Sequence, residues 1–134
     1  MILQCSVLTG AAIMEPQDDP RFIKGIEEFN NGLYFECHET LEEIWLEEHG
    51  EERKFYQGII QIAAGYYKLE QGVPAGALKL WRMGMEKLQA YSPVYLGVNV
   101  DALVAGVSAN LAALEKDQQQ TASALGAPTI QLFC

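Results

Sequence analysis

The sequence predicts an all-α protein, a compact antiparallel bundle of about five helices. Apolar residues recur three and four positions apart through most of the chain, which is the period of an amphipathic helix. Proline, glycine and asparagine interrupt this pattern at short stretches, and these residue types start or end helices. No segment alternates polar and apolar residues for long enough to predict a sheet. Because the connections are short, neighbouring helices are expected to run antiparallel.

Residues 1–17 precede the first predicted helix and show no helical period. They lack the basic stretch that begins a secretory signal. We interpret them as an extended or loosely ordered arm. The alternative is that its apolar residues pack on the body of the protein or on a second subunit. Those apolar residues are Ile2, Leu3, Val7 and Leu8.

The first two helices are delimited by cap and stop residues. Asp19 can cap a helix and Pro20 suits the first helical position, so the first helix is predicted from there to about Asn30. The second is predicted from near Leu33 to the stop at Gly50. A glycine follows each helix, as expected for the left-handed turn that ends many helices.

The third helix is predicted from about Glu51 to Gln71 and is apolar around most of its circumference. Such a helix lies at the centre of a bundle or in a subunit interface. Because a lone small bundle would leave this surface exposed, we predict a homo-oligomer, a dimer or larger. Gly58 and Gly65 would let another helix approach closely. The apolar residues are Ile59, Ile60, Ile62, Ala63, Ala64, Tyr66, Tyr67 and Leu69.

The last two predicted helices are separated by a loop. The fourth begins at Pro74 and stops at Ser92, the segment 93–99 is interpreted as a loop, and the fifth spans about 100–116. The residues after the fifth helix are interpreted as a tail that contains glycine and proline. The chain is therefore divided into an arm, a helical bundle domain and a C-terminal tail, at 1–17, 18–117 and 118–134.

Composition limits the classes of partner. The 134 residues suffice for one domain with one core, and the formal net charge is −9, from 18 acidic and 9 basic residues. Such a surface repels polyanions, so we expect no binding to nucleic acid or to anionic membranes. No apolar run approaches the ~20 residues of a membrane span. The odd, widely spaced Cys5, Cys37 and Cys134 suit neither a disulfide framework nor a zinc knuckle, which favours a cytoplasmic protein with reduced thiols.

Polar residues on the second helix mark a candidate site. At about 100° per residue, His38 and Glu42 fall inside the apolar arc of this helix, with Phe35 and Leu46 on one edge of it. Both are therefore predicted to face the interior. Burying an imidazole and a carboxylate is costly unless each has a partner, so the pair indicates a site.

The turn at Gly50 predicts which residues of the third helix meet this pair. Glu42 and Gln57 are each about seven to eight residues from Gly50, and His38 and Gln61 are each about eleven to twelve. In antiparallel helices these distances place the four side chains at matching heights. We predict that His38 or Glu42 lies within hydrogen-bond reach of a glutamine, directly or through one water. Aromatic walls are expected from Tyr34, Tyr56 and Trp45.

Three interpretations of the site stay open. The first is a structural pair in which Glu42 accepts a hydrogen bond and Trp45 packs over it. The second is a divalent metal site on His38 and Glu42, since imidazole and carboxylate suit zinc, manganese or iron. No further ligand is evident from spacing, because His49 lies about three turns along the same helix. The third is a pocket for a small molecule.

Three stretches of the chain, at 29–45, 56–64 and 76–80, match the motifs of one known family in the same order. On these motifs the chain resembles a bacterial, archaeal and plastid family known as domain of unknown function 309. The family's hallmark is the spacing His38-x3-Glu42-x2-Trp45. The resemblance implies a compact all-helical bundle and no established activity, substrate or cofactor. The long arm and Cys37, where a small residue such as alanine is expected, depart from the family pattern.

Two classes of function follow from these observations. The first is a non-enzymatic binding or assembly protein, and the second is a metal-dependent, hydrolase-like enzyme that uses His38 and Glu42. The candidate binding residues are His38, Glu42, Trp45, Gln57, Gln61 and Tyr34. Cys37 and His38 make no catalytic dyad, because adjacent helical side chains diverge by about 100°.

Overall fold

The structure, a computed structural model, describes residues 16–133. The predicted all-α class is confirmed, with one small hairpin added. Single turns of 3-10 helix lie at Pro16–Asp18 and Gln89–Tyr91. The arm predicted for residues 1–17 falls outside the described residues except at its end. The other elements are α1 (Pro20–Asn30), α2 (Tyr34–Glu47), α3 (Glu52–Glu70), α4 (Pro74–Leu88), β1 (Val94–Tyr95), β2 (Val98–Asn99), α5 (Val100–Lys116) and α6 (Ala122–Leu125).

Helix α1 begins as its cap residues predict. The Asp19 side chain accepts a hydrogen bond of 2.8 Å from the Arg21 backbone N–H, and Pro20 occupies the first helical position. The Arg21 guanidinium also donates to the Asp19 carboxylate at 2.9 Å and to Glu47 of α2. The hydrogen bonds from Arg21 lower the pKa of Asp19. The charged form of Asp19 therefore stabilises the folded state.

Asp19→Ala is expected to lower the free energy of unfolding by about 1 kcal/mol at neutral pH, the usual cost of losing a helix cap. Because the folded pKa of Asp19 is depressed, this stabilisation is present above the unfolded pKa of about 4 and is lost as pH falls through the folded pKa. Urea denaturation of the wild type and of the variant from pH 7 to pH 2.5 measures how this difference in the free energy of unfolding depends on pH. The neighbouring Asp18→Ala is the control, and a difference that persists unchanged at pH 2.5 would contradict the assignment.

Helix α3 lies at the centre of the bundle and makes its most extensive contacts with α4 and α2. Most of its apolar side chains are buried within the single chain, and Ala64 and Tyr67 are half-buried. Gly58 and Gly65 lie against Leu88 and Trp81 of α4, so the close helix approach predicted from these glycines is present. The apolar surface from which the homo-oligomer was predicted is thus covered by other helices of the same chain.

The segment interpreted as a loop at 93–99 contains the hairpin. Strands β1 and β2 pair antiparallel, with Val94 opposite Asn99 and Tyr95 opposite Val98. The turn residues Leu96 and Gly97 both have positive φ, 48° and 76°, as a tight hairpin turn requires. Strands of two residues are too short to show an alternating pattern, which is why the sequence did not predict them.

The residues that follow α5 pack against the bundle. Ile130 is buried, and the Asn30 side chain at the end of α1 binds both of its backbone groups, accepting from the N–H at 2.6 Å and donating to the C=O at 3.0 Å. Leu132 forms a β-bridge with Val98. The stretch predicted only as a tail therefore contributes to the core. No helix within residues 16–133 has the length and apolar character needed to cross a membrane.

Candidate functional site

A small pocket opens between α2 and α3 and is closed on one side by α4. Its volume is about 210 Å³. It is lined by His38, Glu42 and Trp45 of α2, by Gln57, Ile60, Gln61 and Ala64 of α3, and by Leu80 of α4.

The connection between α2 and α3 explains why these residues meet. The two helices pack antiparallel on either side of a short turn around Gly50. Each helix contributes a polar pair one turn apart, and such pairs project on the same side of a helix. Five of the six predicted binding residues therefore line one pocket.

His38 and Glu42 lie at the rim of the pocket, and their predicted burial is wrong. Their side chains are 32% and 44% exposed, and His38 Nε2 is 4.0 Å from Glu42 Oε2. No helix covers this edge of α2 within the described part of the chain, and Phe35 and Leu46 beside it are also exposed, at 42% and 61%. Both polar groups thus keep contact with water, and the pair costs less than a buried one.

Trp45 is held in place by Arg53. The Arg53 guanidinium lies 4.0 Å from the centroid of the Trp45 ring, and its Nη1 donates to the backbone oxygens of Trp45 and Glu48 at 2.6 and 2.9 Å. The guanidinium is thereby fixed against the ring. Trp45 Nε1 is buried and has no hydrogen-bond partner within residues 16–133.

Gln61 is the most buried polar residue of the pocket. It is 9% exposed, and its Oε1 is buried without a partner among the described residues. Gln57 is half-buried. Within the same residues no direct hydrogen bond joins either glutamine to His38 or Glu42, so the direct form of that prediction is wrong. The form with one bridging water stays a prediction.

Tyr34 does not line the pocket. It is buried in the core, where its ring packs 5.3 Å from that of Phe29 and 5.2 Å from that of Tyr66, centroid to centroid. Burial raises the pKa of Tyr34 to about 12. Tyr56 is also buried, with its ring 5.9 Å from that of Phe22. Two of the three expected aromatic walls therefore belong to the core, where each packs against a phenylalanine of α1, and only Trp45 lines the pocket.

His38 and Glu42, the residues predicted to bind a metal ion, are not joined by a third side chain of the kinds that commonly bind metals within residues 16–133. Within residues 16–133 no group of three or more His, Cys, Asp or Glu side chains is placed to hold a metal ion. Cys37 is buried, and burial raises the pKa of its thiol to about 12. A buried thiol of raised pKa is a poor nucleophile, which agrees with the prediction that Cys37 and His38 make no catalytic dyad.

Sequence reasoning missed Arg53 and Leu80. Arg53 lies in the first turns of α3, and its contact with Trp45 depends on how the chain turns between α2 and α3. Leu80 reaches the pocket from α4, a separate element. Neither residue carries a local signal in the sequence, since both contacts come from tertiary packing.

A larger, open groove of about 770 Å³ lies between the start of α3 and the hairpin and shares Gln57 with the pocket. Its tyrosines are already paired: Tyr91 donates to the Glu51 backbone oxygen at 2.7 Å and Tyr95 to the Glu52 carboxylate at 2.9 Å. Of the four buried side-chain polar atoms without a partner within residues 16–133, two belong to residues of the smaller pocket, Trp45 and Gln61, and none belongs to a residue of the groove. The smaller pocket is therefore the stronger candidate site.

The part of the chain that lines the pocket is similar to known proteins. Residues 22–80, which include every residue lining it, match the model of a family described as a domain of unknown function (DUF309). The chain is also 43% identical over 58 residues to a protein of Bacillus subtilis (strain 168) described as "Uncharacterized protein YpuF". That match covers 42% of this chain and 33% of the relative, so the chain spans about a third of the relative's length.

Proposed function

We propose that this chain, whose residues 22–80 form a DUF309 domain, is a cytoplasmic binding protein that holds a small polar molecule in the pocket between α2 and α3. One observation carries the proposal. Two pocket residues have buried polar atoms without partners among residues 16–133, the Trp45 Nε1–H donor and the Gln61 Oε1 acceptor.

The energetic cost of these atoms supports a ligand. An unpaired buried polar group costs about 1–3 kcal/mol, and nearly all such groups in native proteins have a partner. A ligand that accepts from Trp45 and donates to Gln61, after a small movement of these side chains towards the pocket, would offset both costs. Functional sites commonly hold groups that the fold alone disfavours.

The size and lining of the pocket limit the ligand. A volume of about 210 Å³ corresponds to roughly seven water molecules at about 30 Å³ each. Ile60, Ala64 and Leu80 supply apolar surface, and the polar residues His38, Glu42, Gln57 and Gln61 line the same pocket. This mixture of an apolar wall and a few polar groups is typical of small-molecule sites.

Without added ligand, Gln61→Leu is expected to raise the free energy of unfolding by about 1 kcal/mol, because it removes an unpaired buried oxygen at similar side-chain volume. Thermal and urea denaturation measure the change. Gln118→Leu, at an exposed position after α5, is the matched control and is expected to change stability by less than about 0.5 kcal/mol. A loss of stability in Gln61→Leu would mean that the fold itself uses this amide.

Binding is tested with a panel of small neutral, cationic and anionic compounds at millimolar concentration. We expect at least one compound to raise the melting temperature of the wild type and of Gln118→Leu, and to have little effect on Gln61→Leu and Trp45→Phe. A panel in which no compound binds, or in which the pocket variants respond like the wild type, would contradict the proposal.

The second candidate function is a metal-dependent, hydrolase-like enzyme. The separation of 4.0 Å between His38 Nε2 and Glu42 Oε2 at the pocket rim favours it. A bound ion would have to complete its coordination with Gln57, Gln61 or water. Titration with Zn²⁺ and Mn²⁺ tests the candidate: binding that is lost in His38→Asn and in Glu42→Gln supports it, and absence of binding by both ions contradicts it.

Self-association remains a prediction. Since α3 is covered within one chain, its support is now the exposed apolar residues on and beside α2, namely Leu33, Phe35 and Leu46, at 46%, 42% and 61% exposure. We expect light scattering at high micromolar concentration to give at least twice the monomer mass of 14.9 kDa. A monomer mass at that concentration would exclude stable assembly.

A further inference from the structure

We infer that the outer face of α2 binds a basic, amphipathic helix of another protein. The face is formed by side chains that reach solvent, namely Phe35, Glu39, Glu42 and Leu46. They follow one another at intervals of four, three and four residues, so they lie along one side of the helix. This inference concerns a partner protein and goes beyond the small-molecule pocket, to which only Glu42 of this face belongs.

Apolar side chains lie at both ends of this face. Phe35 is 42% exposed and Leu46 is 61% exposed, the largest fraction among the exposed large hydrophobic residues within 16–133. At about 1.5 Å of rise per residue these two anchors are roughly 16 Å apart along α2, about three helical turns. A partner helix of about 12 residues presents apolar side chains at the same separation. Apolar anchors repeated at helical spacing are typical of interfaces that bind an amphipathic helix.

The charges between and beside the anchors determine which kind of helix fits. Helix α2 contains five glutamates and neither lysine nor arginine. Glu39 and Glu42 lie between the anchors, and Glu36 and Glu43 lie beside them. Within residues 16–133 none of these carboxylates forms a salt bridge with a lysine or arginine, and His38 is 4.0 Å from Glu42. Lysine or arginine side chains on a partner would therefore complement the charge of this face.

The basic side chains that contact α2 from neighbouring helices are already bound to other groups. Arg21 of α1 donates to Glu47, in the last turn of α2. Lys24 of α1 pairs with Glu28 at 2.7 Å; this hydrogen bond and, more weakly, two glutamates of α2 raise the pKa of Lys24. Nη1 of Arg53 donates to two backbone oxygens. The outer face of α2 therefore remains negatively charged.

A second copy of this chain complements the face less well than a basic helix does. It would bring the same glutamates against those of the first copy, and opposed like charges disfavour association. Residues 1–15 contain neither lysine nor arginine, so they also lack the complementary charge. Where the free chain self-associates through its exposed apolar residues, we expect a basic helix to displace the second copy and to form a complex of one chain with one helix.

The experiment uses four synthetic peptides of about 18 residues, long enough to form a helix. Three share one helical stripe of leucines and carry lysine, glutamine or glutamate at the other positions that face the partner. The fourth has the composition of the lysine peptide in an order without a stripe. We expect calorimetry with the full chain to show that the lysine peptide binds at least about tenfold more tightly than each of the others. Its affinity should fall as NaCl rises from about 50 to about 500 mM, because salt screens the charges.

Substitutions of exposed residues test the location of the binding face. Leu46→Ser and Glu39→Lys are each expected to weaken binding of the lysine peptide about tenfold, while the melting temperature stays close to that of the wild type. Glu86→Lys makes the same charge change at an exposed position of α4 and is the matched control, expected to leave the affinity unchanged. Neither Leu46 nor Glu39 lines the pocket, so both variants should still bind any small molecule that the wild type binds there.

Other results would overturn the inference, and each points to a different explanation. Absence of binding by the lysine peptide, or equal binding of the peptide without a stripe, would exclude a specific helix site. Equal weakening by Glu86→Lys and Glu39→Lys would indicate general attraction to an acidic surface. Self-association that requires Leu46 and persists in excess lysine peptide would identify a second copy as the partner. Binding that appears only after Leu8→Glu would identify residues 1–15 as the occupant of this face.

Discussion

Removal of residues 118–134 is expected to lower the free energy of unfolding by at least about 3 kcal/mol, because truncating a buried isoleucine alone costs about 2–5 kcal/mol. The deletion removes Ile130, which is 2% exposed, and the backbone groups that bind the Asn30 side chain. It also removes the Leu125 oxygen that accepts from Asn110 Nδ2 at 3.1 Å. Because Asn110 in turn accepts from the buried Tyr66 hydroxyl, the loss extends into the core.

Urea denaturation of the full chain and of the truncated chain measures this loss. If truncation prevents folding, Ile130→Ala and Asn30→Ala in the full chain remove parts of the same contacts. Each is expected to lower the free energy of unfolding by about 1–4 kcal/mol. Thr129→Ala, at an exposed neighbouring position, is the control. A truncated chain as stable as the full one would show that these residues are a dispensable tail.

The second large effect is expected from Gly65→Ala, which should destabilise the protein by about 2 kcal/mol, since overpacking a core costs about 1–3 kcal/mol. A Cβ at Gly65 would lie 2.4 Å from Cδ1 and 2.5 Å from Nε1 of Trp81. Trp81 is fully buried and cannot move aside without displacing its neighbours. The loss is expected although alanine is favoured over glycine in an open helix by about 1 kcal/mol.

Gly76→Ala is the matched control. A Cβ at Gly76 of α4 would meet Val73 at 3.3 Å and the flexible Lys68 side chain at 3.4 Å, so this variant should be neutral or slightly stabilising. A double-mutant cycle of Gly65→Ala with Trp81→Phe measures the clash directly, and we expect the smaller ring to reduce the cost of the added methyl group. Equal stability of the two alanine variants would contradict the close packing of α3 on α4.

The helices are the part of this fold that local sequence signals determine. The range predicted for the fifth helix, 100–116, is the observed range of α5, because the apolar period and the flanking polar residues agree. The start of α1 follows from Asp19 and Pro20 in the same way. These signals act over a few residues, so the remainder of the chain is not needed to interpret them.

The meeting of four polar side chains in one pocket was also predictable. His38, Glu42, Gln57 and Gln61 lie on two consecutive helices joined by a short turn, and counting outward from Gly50 matches their heights. A short connection leaves little freedom in how the two helices pair. For this reason a non-local contact could be inferred from local spacing.

The sequence by itself determined which residues share a helix face and how far each lies from a turn. Only the tertiary structure decided what covers each face. It left His38 and Glu42 at an open rim and placed Tyr34 in the core. It also brought Arg53 over Trp45 and Leu80 to the pocket, and it placed residues 118–133 on the bundle. The physical reason is that helical periodicity reports the direction of a side chain relative to its own axis. Burial depends on whether another element packs there, and that element lies elsewhere in the chain.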